Sequence, residues 1–427
     1  MLPILFPQDT DQLKKRLLLR GETDYTAQQK IVDDILRNIK MQGDAALFAY
    51  TKEFDGFDVN AQNLLVTQQE MDEAFAEVDP ALLEVMREAA KNIEAFHNRQ
   101  KRENWFMEQD GKMIGQLYIP VENAGVYVPG GKAAYPSSVL MNIIPAKCAG
   151  VKNISVATPA RGGVVNPVTI AAARIAGADK IYKIGGAQAI AAFAYGTQTI
   201  PRMDKITGPG NIYVALAKKS IYGQAGIDMI AGPSEVLVIA DDAANEKYIA
   251  ADFLSQAEHD EMAACILVTV SVQKAQRVRG EILRQAEGLP KKEIVMQSLE
   301  RYGTIIVARD LEEAVRISNM IAPEHLEICV NEPLTLLSKI QNAGSIFLGE
   351  YSPEPLGDYF AGTNHVLPTN STARFSSPLN VDDFQKKSSV IYYSKEEFGK
   401  EYKKVVTFAK AEGLEAHARS AAIRFED

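Results

Sequence analysis

Apolar residues recur along this chain in two rhythms. Over residues 26–43 they fall at helical spacing, with Ile31, Ile35 and Ile39 on one stripe, and a second helical stretch over 80–100 opens on Pro80, whose fixed φ suits a first helical turn. The N-terminal part is therefore predicted to be helical. Near residue 113 the texture changes. Short runs rich in Val and Ile begin to alternate with longer helical patterns. A first series holds GVYVPG (125–130), NISVATPA (153–160), KIYKIGG (180–186) and KITGPGN (205–211), with helices predicted at about 136–149, 167–177, 187–195 and 211–222. A second holds VLVIAD (236–241), ACILVTV (264–270), TIIVA (304–308), LEICV (326–330) and SIFLG (345–349), with helices near 245–258, 272–287, 310–321 and 333–342. Strands buried on both faces read as unbroken apolar runs, and strand–helix alternation argues an α/β architecture with parallel sheets. Two series suggest two similar α/β domains. Residues 351–379 are rich in Pro, Gly, Ser and Thr and weakly periodic, and a loop of that length is usually functional or a linker. From about 394 the chain reads as a charged helical tail ending at Asp427.

Composition narrows the classes. A length of 427 residues, with 46% hydrophobic and 24% charged positions, allows two or three ordinary globular domains. The formal net charge of -9 and the lack of a basic block speak against a nucleic-acid partner. Cys148, Cys265 and Cys329 are far apart, each in an apolar stretch. They read as buried free thiols, which suits a reducing cytoplasmic setting. No apolar run is long enough for a membrane span, and the N-terminus lacks the marks of a signal peptide.

Of the five histidines, His97 sits in the polar end of a helix and reads as solvated. His259 ends a helical run, FLSQAEHD, with Gln256 three residues earlier on the same face and Glu258 about 100° away. That geometry favours Gln256 beside His259 as a ligand pair. His325 follows Glu324 in APEHLE, where Pro323 should stop a helix before a strand begins. An acid and an imidazole at such a junction suit general acid/base work, or else a plain charged helix end. His365 lies with Asp358 in the loop GDYFAGTNHVLPT, and His417 lies in the tail five residues after Glu412. Zinc accepts imidazole and carboxylate readily. With no thiolate set available, any such site must be rich in N and O donors. No complete GxGxxG occurs, since Tyr213 stands where the third glycine of GPGNIY should be. Yet GVYVPGGKAAYPSS, IGGAQAIAAFAYGT, TGPGN and AGPSE are Gly-rich turns at strand ends, which allow close backbone approach to a phosphate or ring.

These motifs carry a resemblance. Along nearly its whole length the sequence resembles the histidinol dehydrogenase family, through GVYVPGG (125–131), IGGAQAIAA (184–192), GPGN (208–211), AGPSEVLVIAD (231–241), LSQAEHD (254–260), APEHLE (322–327), GDYFAGTNHVLPT (357–369) and FSSPLNVDDFQK (375–386). The resemblance implies oxidation of L-histidinol to L-histidine by two NAD in turn, through bound L-histidinal, the last step of histidine biosynthesis. It implies one zinc per subunit, held by Gln256, His259, Asp358 and His417, and an acid/base pair formed by Glu324 and His325. Substrate contacts carry over to Ser234, His365 and Glu412, joined by His325 and the zinc ligands, and nicotinamide-nucleotide contacts to Tyr127, Gln188 and Asn211. The implied fold is a pair of incomplete Rossmann-like domains with an N-terminal helical segment and an extended helical C-terminal tail. Its expected boundaries are 1–25 for the segment, 26–125 with 233–375 for the domain carrying the zinc and catalytic residues, 126–232 for the nucleotide-binding domain, and 376–427 for a dimerisation tail. The implied assembly is a homodimer in which His417 reaches the partner's zinc site. One departure stands out: Asn370-Ser371 occupies a place where many members carry Gly-Gly, so this loop is expected to differ in flexibility. A relative acting on another alcohol, a zinc hydrolase and a non-catalytic zinc scaffold are the alternatives. Glu412 and His365 suit a cationic imidazole-amine substrate and favour histidinol over the first.

Overall fold

The structure, a computed structural model, describes residues 2–6, 9, 24–130 and 134–426. Most of the expected segment over 1–25, and Gly131 of the first Gly-rich turn, lie outside them. The strands in chain order are β1 (Ile4–Leu5), β2 (Trp105–Gln109), β3 (Lys112–Pro120), β4 (Asn123–Tyr127), β5 (Asn153–Ala157), β6 (Lys180–Tyr182), β7 (Lys205–Thr207), β8 (Gly226–Ile227), β9 (Glu235–Ala240), β10 (Ala264–Thr269), β11 (Thr304–Val307), β12 (His325–Cys329), β13 (Ser345–Leu348) and β14 (Gln385–Tyr393). The chain divides into two compact units, residues 1–100 with 121–384, and residues 101–120 with 385–427.

The larger unit contains two parallel sheets, ordered β6-β5-β4-β7-β8 and β1-β11-β10-β9-β12-β13. In each, five consecutive strands lie in the order 3-2-1-4-5, the order of a doubly wound α/β sheet without its sixth strand, and β8 was not among the strands expected from the sequence. β1 is added outside the third strand of the larger sheet. The order reverses between β4 and β7 in one sheet and between β9 and β12 in the other, which marks two switch points. The α/β class expected from the apolar runs is what forms. All six residues of β9 and all six of β10 are buried, as helices on both faces require. Val236, Val238 and Leu267 face one side with Phe253 and Ile282, while Leu237, Ile239 and Ile266 face the other with Val315 and Ile321.

Helices Thr26–Gln42, Asp44–Asp55, Gln68–Glu77 and Pro80–Asn98 cover the smaller sheet. Val32, Ile35, Leu36 and Ile39 pack with Ile184, Ile190 and Phe193, and Leu83, Met86 and Ile93 pack with Val139, Ile143 and Val156 on the opposite face. The buried stripe of the first helix thus runs through Val32 and Leu36, whereas Ile31 is 45% exposed. His97 corrects another expectation. It is fully buried, with Nδ1 2.8 Å from the Ile93 carbonyl and Nε2 3.3 Å from the Asn364 amide. Asn364 also donates to the Met141 carbonyl at 2.7 Å, so this histidine anchors the loop that carries His365. The helix expected over 333–342 is confined to Leu334–Leu337, and the 351–379 stretch contains a short helix, Glu354–Tyr359.

At the carboxyl end of the larger sheet, beside its switch point, the Asp241 carboxylate accepts from the backbone N–H of Ala243 (2.9 Å), Ala244 (3.2 Å) and Asn331 (2.8 Å). Three backbone donors at that crevice are thus taken by the chain's own carboxylate. Non-glycine residues at positive φ include Ala322 (+53°), Asn370 (+53°) and Ser371 (+62°). The last two are the positions that depart from Gly-Gly, and left-handed geometry explains a preference for glycine there.

In the smaller unit β14, β3 and β2 form an antiparallel sheet in that order. Helices Lys395–Ala411 and Glu415–Ala422 follow, and Tyr402 stacks on Phe425 at 4.4 Å between ring centroids. The helical tail begins where expected; the strand before it was not foreseen.

Candidate active site

The helix Leu311–Ile321 ends at Ala322, whose left-handed conformation turns the chain so that Glu324 and His325 meet the amino end of the larger sheet. Both are buried. Glu324 Oε2 accepts from the Glu235 N–H at 2.8 Å and lies 3.7 Å from His325 Nδ1. His325 Nδ1 is 3.1 Å from the Glu235 carbonyl and 3.2 Å from Gln256 Nε2. A carbonyl oxygen only accepts, so a proton on Nδ1 satisfies it and leaves Nε2 open. That Nε2 has no hydrogen-bond partner and faces Asp358 Oδ1 at 3.8 Å and Glu354 Oε1 at 3.9 Å.

Gln256 is delivered by the last turn of helix Glu246–Ala257 and is fully buried, with Oε1 unpartnered. His259 follows on the turn that ends this helix, its N–H donating to the Gln256 carbonyl at 3.2 Å. Although the residue as a whole is exposed, desolvation of its ring lowers its pKa, against the pull of nearby Asp358. His365 also has a lowered pKa, chiefly from burial of the ring, again opposed by Asp358, and its Nε2 is unpartnered. Asp358 keeps a lowered pKa: burial opposes its charge, but His325, His365 and His259 together outweigh that. Ser234 precedes β9, and its carbonyl accepts from the Ala264 N–H at 3.0 Å. Seven expected residues thus share one place: Ser234, Gln256, His259, Glu324, His325, Asp358 and His365.

Burial pushes Glu324 up to about 8 and Glu354 up to about 7, with His325 pulling each back. Desolvation disfavours the His325 cation, yet Glu354, Glu324 and Asp358 outweigh it and hold the imidazole well above its ordinary pKa. Protons in this cluster are therefore shared among acid and base, the setting in which acid/base chemistry is found. Glu354 was missed from sequence. It is buried, lies four residues before Asp358 on one short helix, and keeps Oε2 unpartnered. Among the described residues, ligand atoms of His325, Glu354 and Asp358 all lie within 4.8 Å of one another, a group able to hold a metal ion. The unpartnered Gln256 oxygen, the His259 ring and the Asp358 carboxylate make an N/O donor set that suits zinc.

A second cluster lies at the carboxyl end of the smaller sheet. Tyr127 ends β4, and its hydroxyl accepts from the Gly186 N–H at 3.1 Å. Burial raises the phenol to about 12, so it stays a neutral donor. Gln188 is buried in the first turn of helix Gly186–Tyr195, with Oε1 unpartnered. Asn211 caps helix Ile212–Ile221 through Tyr213 and Val214 N–H groups. The start of helix Pro136–Ala149 lies beside the first cluster. Its Ser137 backbone is bonded to the His365 ring, and Tyr135, just before it, lies near Tyr359. Glu412 and His417 belong to the smaller unit, where both are exposed and line one open groove with Lys404, Phe408 and Leu414.

Fold and site together define an α/β enzyme, with a buried acid–imidazole pair at one sheet's amino end and Gly-rich turns at the other's carboxyl end. The histidinol dehydrogenase family model matches residues 18–425. Histidinol dehydrogenase from Bacillus cereus is 52% identical over 100% of both chains, and that from Heliobacterium mobile is 54% identical over 95% of this chain and 97% of its own. The crystal structure of histidinol dehydrogenase from Elizabethkingia anophelis matches with a TM-score of 0.93 at 40% identity, covering 99% of this chain and 97% of that one. The chain belongs to the histidinol dehydrogenase family of oxidoreductases.

Proposed function

We propose that the chain oxidises L-histidinol to L-histidine with two NAD used in turn, through L-histidinal that stays bound, as the last step of histidine biosynthesis. The observation that carries this reading is the buried Glu324–His325 pair, with His325 Nε2 open toward Asp358 and Glu354. Gln256, His259, Asp358 and His417 would hold one zinc per subunit. When bound, the metal would supply a positive anchor for the imidazole and amine of the substrate. His417 and Glu412 would come from a partner chain in a homodimer through the 376–427 tail, and residues 26–125 with 233–375 would carry the chemistry. Tyr127, Gln188 and Asn211, within 126–232, would hold the nucleotide that takes the hydride.

The residues divide the work by their surroundings. His325, in its neutral form with the proton on Nδ1, takes the alcohol proton at Nε2 as the carbinol carbon is oxidised. Glu324, held against the Glu235 N–H, activates a water that adds to the aldehyde. Once that first proton has passed to solvent, His325 Nε2 is free to take a second as the hydrated aldehyde is oxidised to the carboxylate. Glu412 suits the substrate's cationic amine, and Ser234 and His365 a neutral hydrogen bond. The three cysteines are buried, which supports a cytoplasmic setting. Among the described residues no helix is long and apolar enough to cross a membrane. The test is to supply L-histidinol and NAD to the purified protein. Two NADH per substrate, with histidine as product, is expected; no NADH with histidinol, but NADH with another alcohol, would overturn the substrate assignment.

A further inference from the structure

The turn that bears Asn211 is gripped from behind by two buried charges. Lys218, on helix Ile212–Ile221, and Asp228, just after β8, form an ion pair whose side chains are 4% and 1% exposed. Both also bond the Gly208 residue. Asp228 Oδ2 accepts from the Gly208 N–H at 2.8 Å, and Lys218 Nζ donates to the Gly208 carbonyl at 2.9 Å. Asp228 Oδ1 accepts the Met229 N–H at 2.7 Å. Gly208 has a φ of +117°, and a Cβ there would lie 2.0 Å from the Tyr127 carbonyl oxygen. The anion holds one side of Gly208, the cation the other, and the backbone of Tyr127 closes the third.

Stability alone is a poor reason for this pair. Desolvating two charges is costly, and well-packed apolar replacements of buried ion pairs are often neutral or stabilising. What charges supply, and apolar groups do not, is direction: opposite ends of one residue's backbone are fixed by opposite charges. Three residues further on, Asn211 caps its helix, so the position of Gly208 sets the path of Pro209-Gly210-Asn211. The same residue rests on Tyr127, whose hydroxyl ties down the Gly186 turn.

We propose that Lys218 and Asp228 are positioning residues for nicotinamide-nucleotide binding, acting through Gly208 to fix the 208–211 turn against Tyr127. This rests on the reading that the nucleotide binds at this sheet end. The experiment is calorimetric titration of NAD into the full-length, zinc-loaded protein. In the paired variant Lys218→Met with Asp228→Asn, which leaves no buried charge unpaired, the Kd for NAD is expected to rise at least tenfold. The Kd for histidinol, and kcat at saturating NAD, should stay within twofold, because the acid/base cluster sits on the other sheet. Asp228→Asn alone keeps an acceptor for the Gly208 N–H and should give an intermediate rise, which covers the case of a paired variant that does not fold. A merely structural role would lower the melting temperature and leave the Kd for NAD unchanged, and that result overturns the proposal. Failure of the wild-type protein to bind NAD would instead overturn the reading on which it rests.

Discussion

Gly362→Ala tests how the loop bearing His365 is held. Gly362 has a φ of +97°, and a Cβ there would lie 2.5 Å from the carbonyl oxygen of Asn92 and 2.7 Å from its carbon. Asn92 lies within the helix Pro80–Asn98, and its side chain donates to the Phe360 carbonyl at 2.8 Å, so the helix cannot yield easily. An L residue in left-handed space costs about 1–2 kcal/mol. Opening the contact from 2.5 Å to the 3.4 Å at which ordinary contact begins moves the loop by about 0.9 Å. A displacement near 1 Å of a substrate-positioning group costs on the order of a hundredfold in rate, or about 2.7 kcal/mol. The expected result is a kcat/KM for histidinol reduced on the order of a hundredfold, with NAD affinity unchanged. Gly223→Ala is the control, because Gly223 has nearly the same φ, +98°, and nothing within 4 Å of its added Cβ. It carries the strain without the clash and should lose stability but keep kinetics. NADH-coupled steady-state kinetics on both variants decides the matter. If Gly362→Ala retains kcat/KM within threefold, or if Gly223→Ala loses as much, contact with Asn92 does not place His365.

Glu324→Gln should slow oxidation of supplied histidinal far more than oxidation of histidinol to the aldehyde, whereas His325→Asn should damage both; equal effects of Glu324→Gln on the two halves would refute the division. Inactive His417→Ala and Gln256→Ala chains, co-expressed, should recover roughly a quarter of wild-type activity, because half of randomly mixed dimers are heterodimers with one intact site; a mixture that stays inactive would show that the tail serves its own chain. Glu246, 2.9 Å from Lys274 Nζ and 2.6 Å from Arg277 Nε, has its pKa lowered to about 2, first by the Lys274 hydrogen bond. Its folded pKa lies below the unfolded value near ~4.3, so its contribution is complete above that value and lost as pH falls toward 2. Glu246→Gln should therefore cost about 2 kcal/mol at pH 7, and the gap to wild type in urea denaturation should narrow progressively from about pH 5 down to about pH 2; a pH-independent gap would contradict this.

Much of the α/β frame was legible because strands buried on both faces leave unbroken apolar runs, and EVLVIA and ACILVT sit where the texture placed them. Helices Asp44–Asp55 and Gln68–Glu77 were not, since each buries only a few side chains. The hairpin of β2 and β3 escaped notice because all five residues of β2 are exposed and show no alternation. Its Asp110-Gly111 turn, with both φ positive, was the readable signal. Within the site, Gln256 and His259 were legible from helical spacing. Glu354 was not, although it stands one turn before Asp358, because the surrounding Pro/Gly-rich stretch read as loop. His97 was misread because a polar helix end looks solvated until Asn364, 267 residues away, covers it. Lys218, Asp228 and Gly208 meet only through tertiary structure.

The carboxylate of Asp241 has a consequence for the order of events in turnover. It accepts three backbone N–H groups at the switch point of the larger sheet, and so fills with a fixed negative charge the crevice where such a sheet would receive an anion. If the nucleotide binds at the smaller sheet, as proposed, two sheets of like topology would therefore offer it a single berth. A four-electron oxidation served by one berth needs an exchange at half-time: the first reduced nucleotide must leave and a second oxidised one enter while the half-oxidised substrate waits. The substrate must then be retained by contacts independent of the nucleotide. On the proposed reading, the placement of the two clusters on different sheets, each with its own anchoring hydrogen bonds, would let one ligand depart while the other stays.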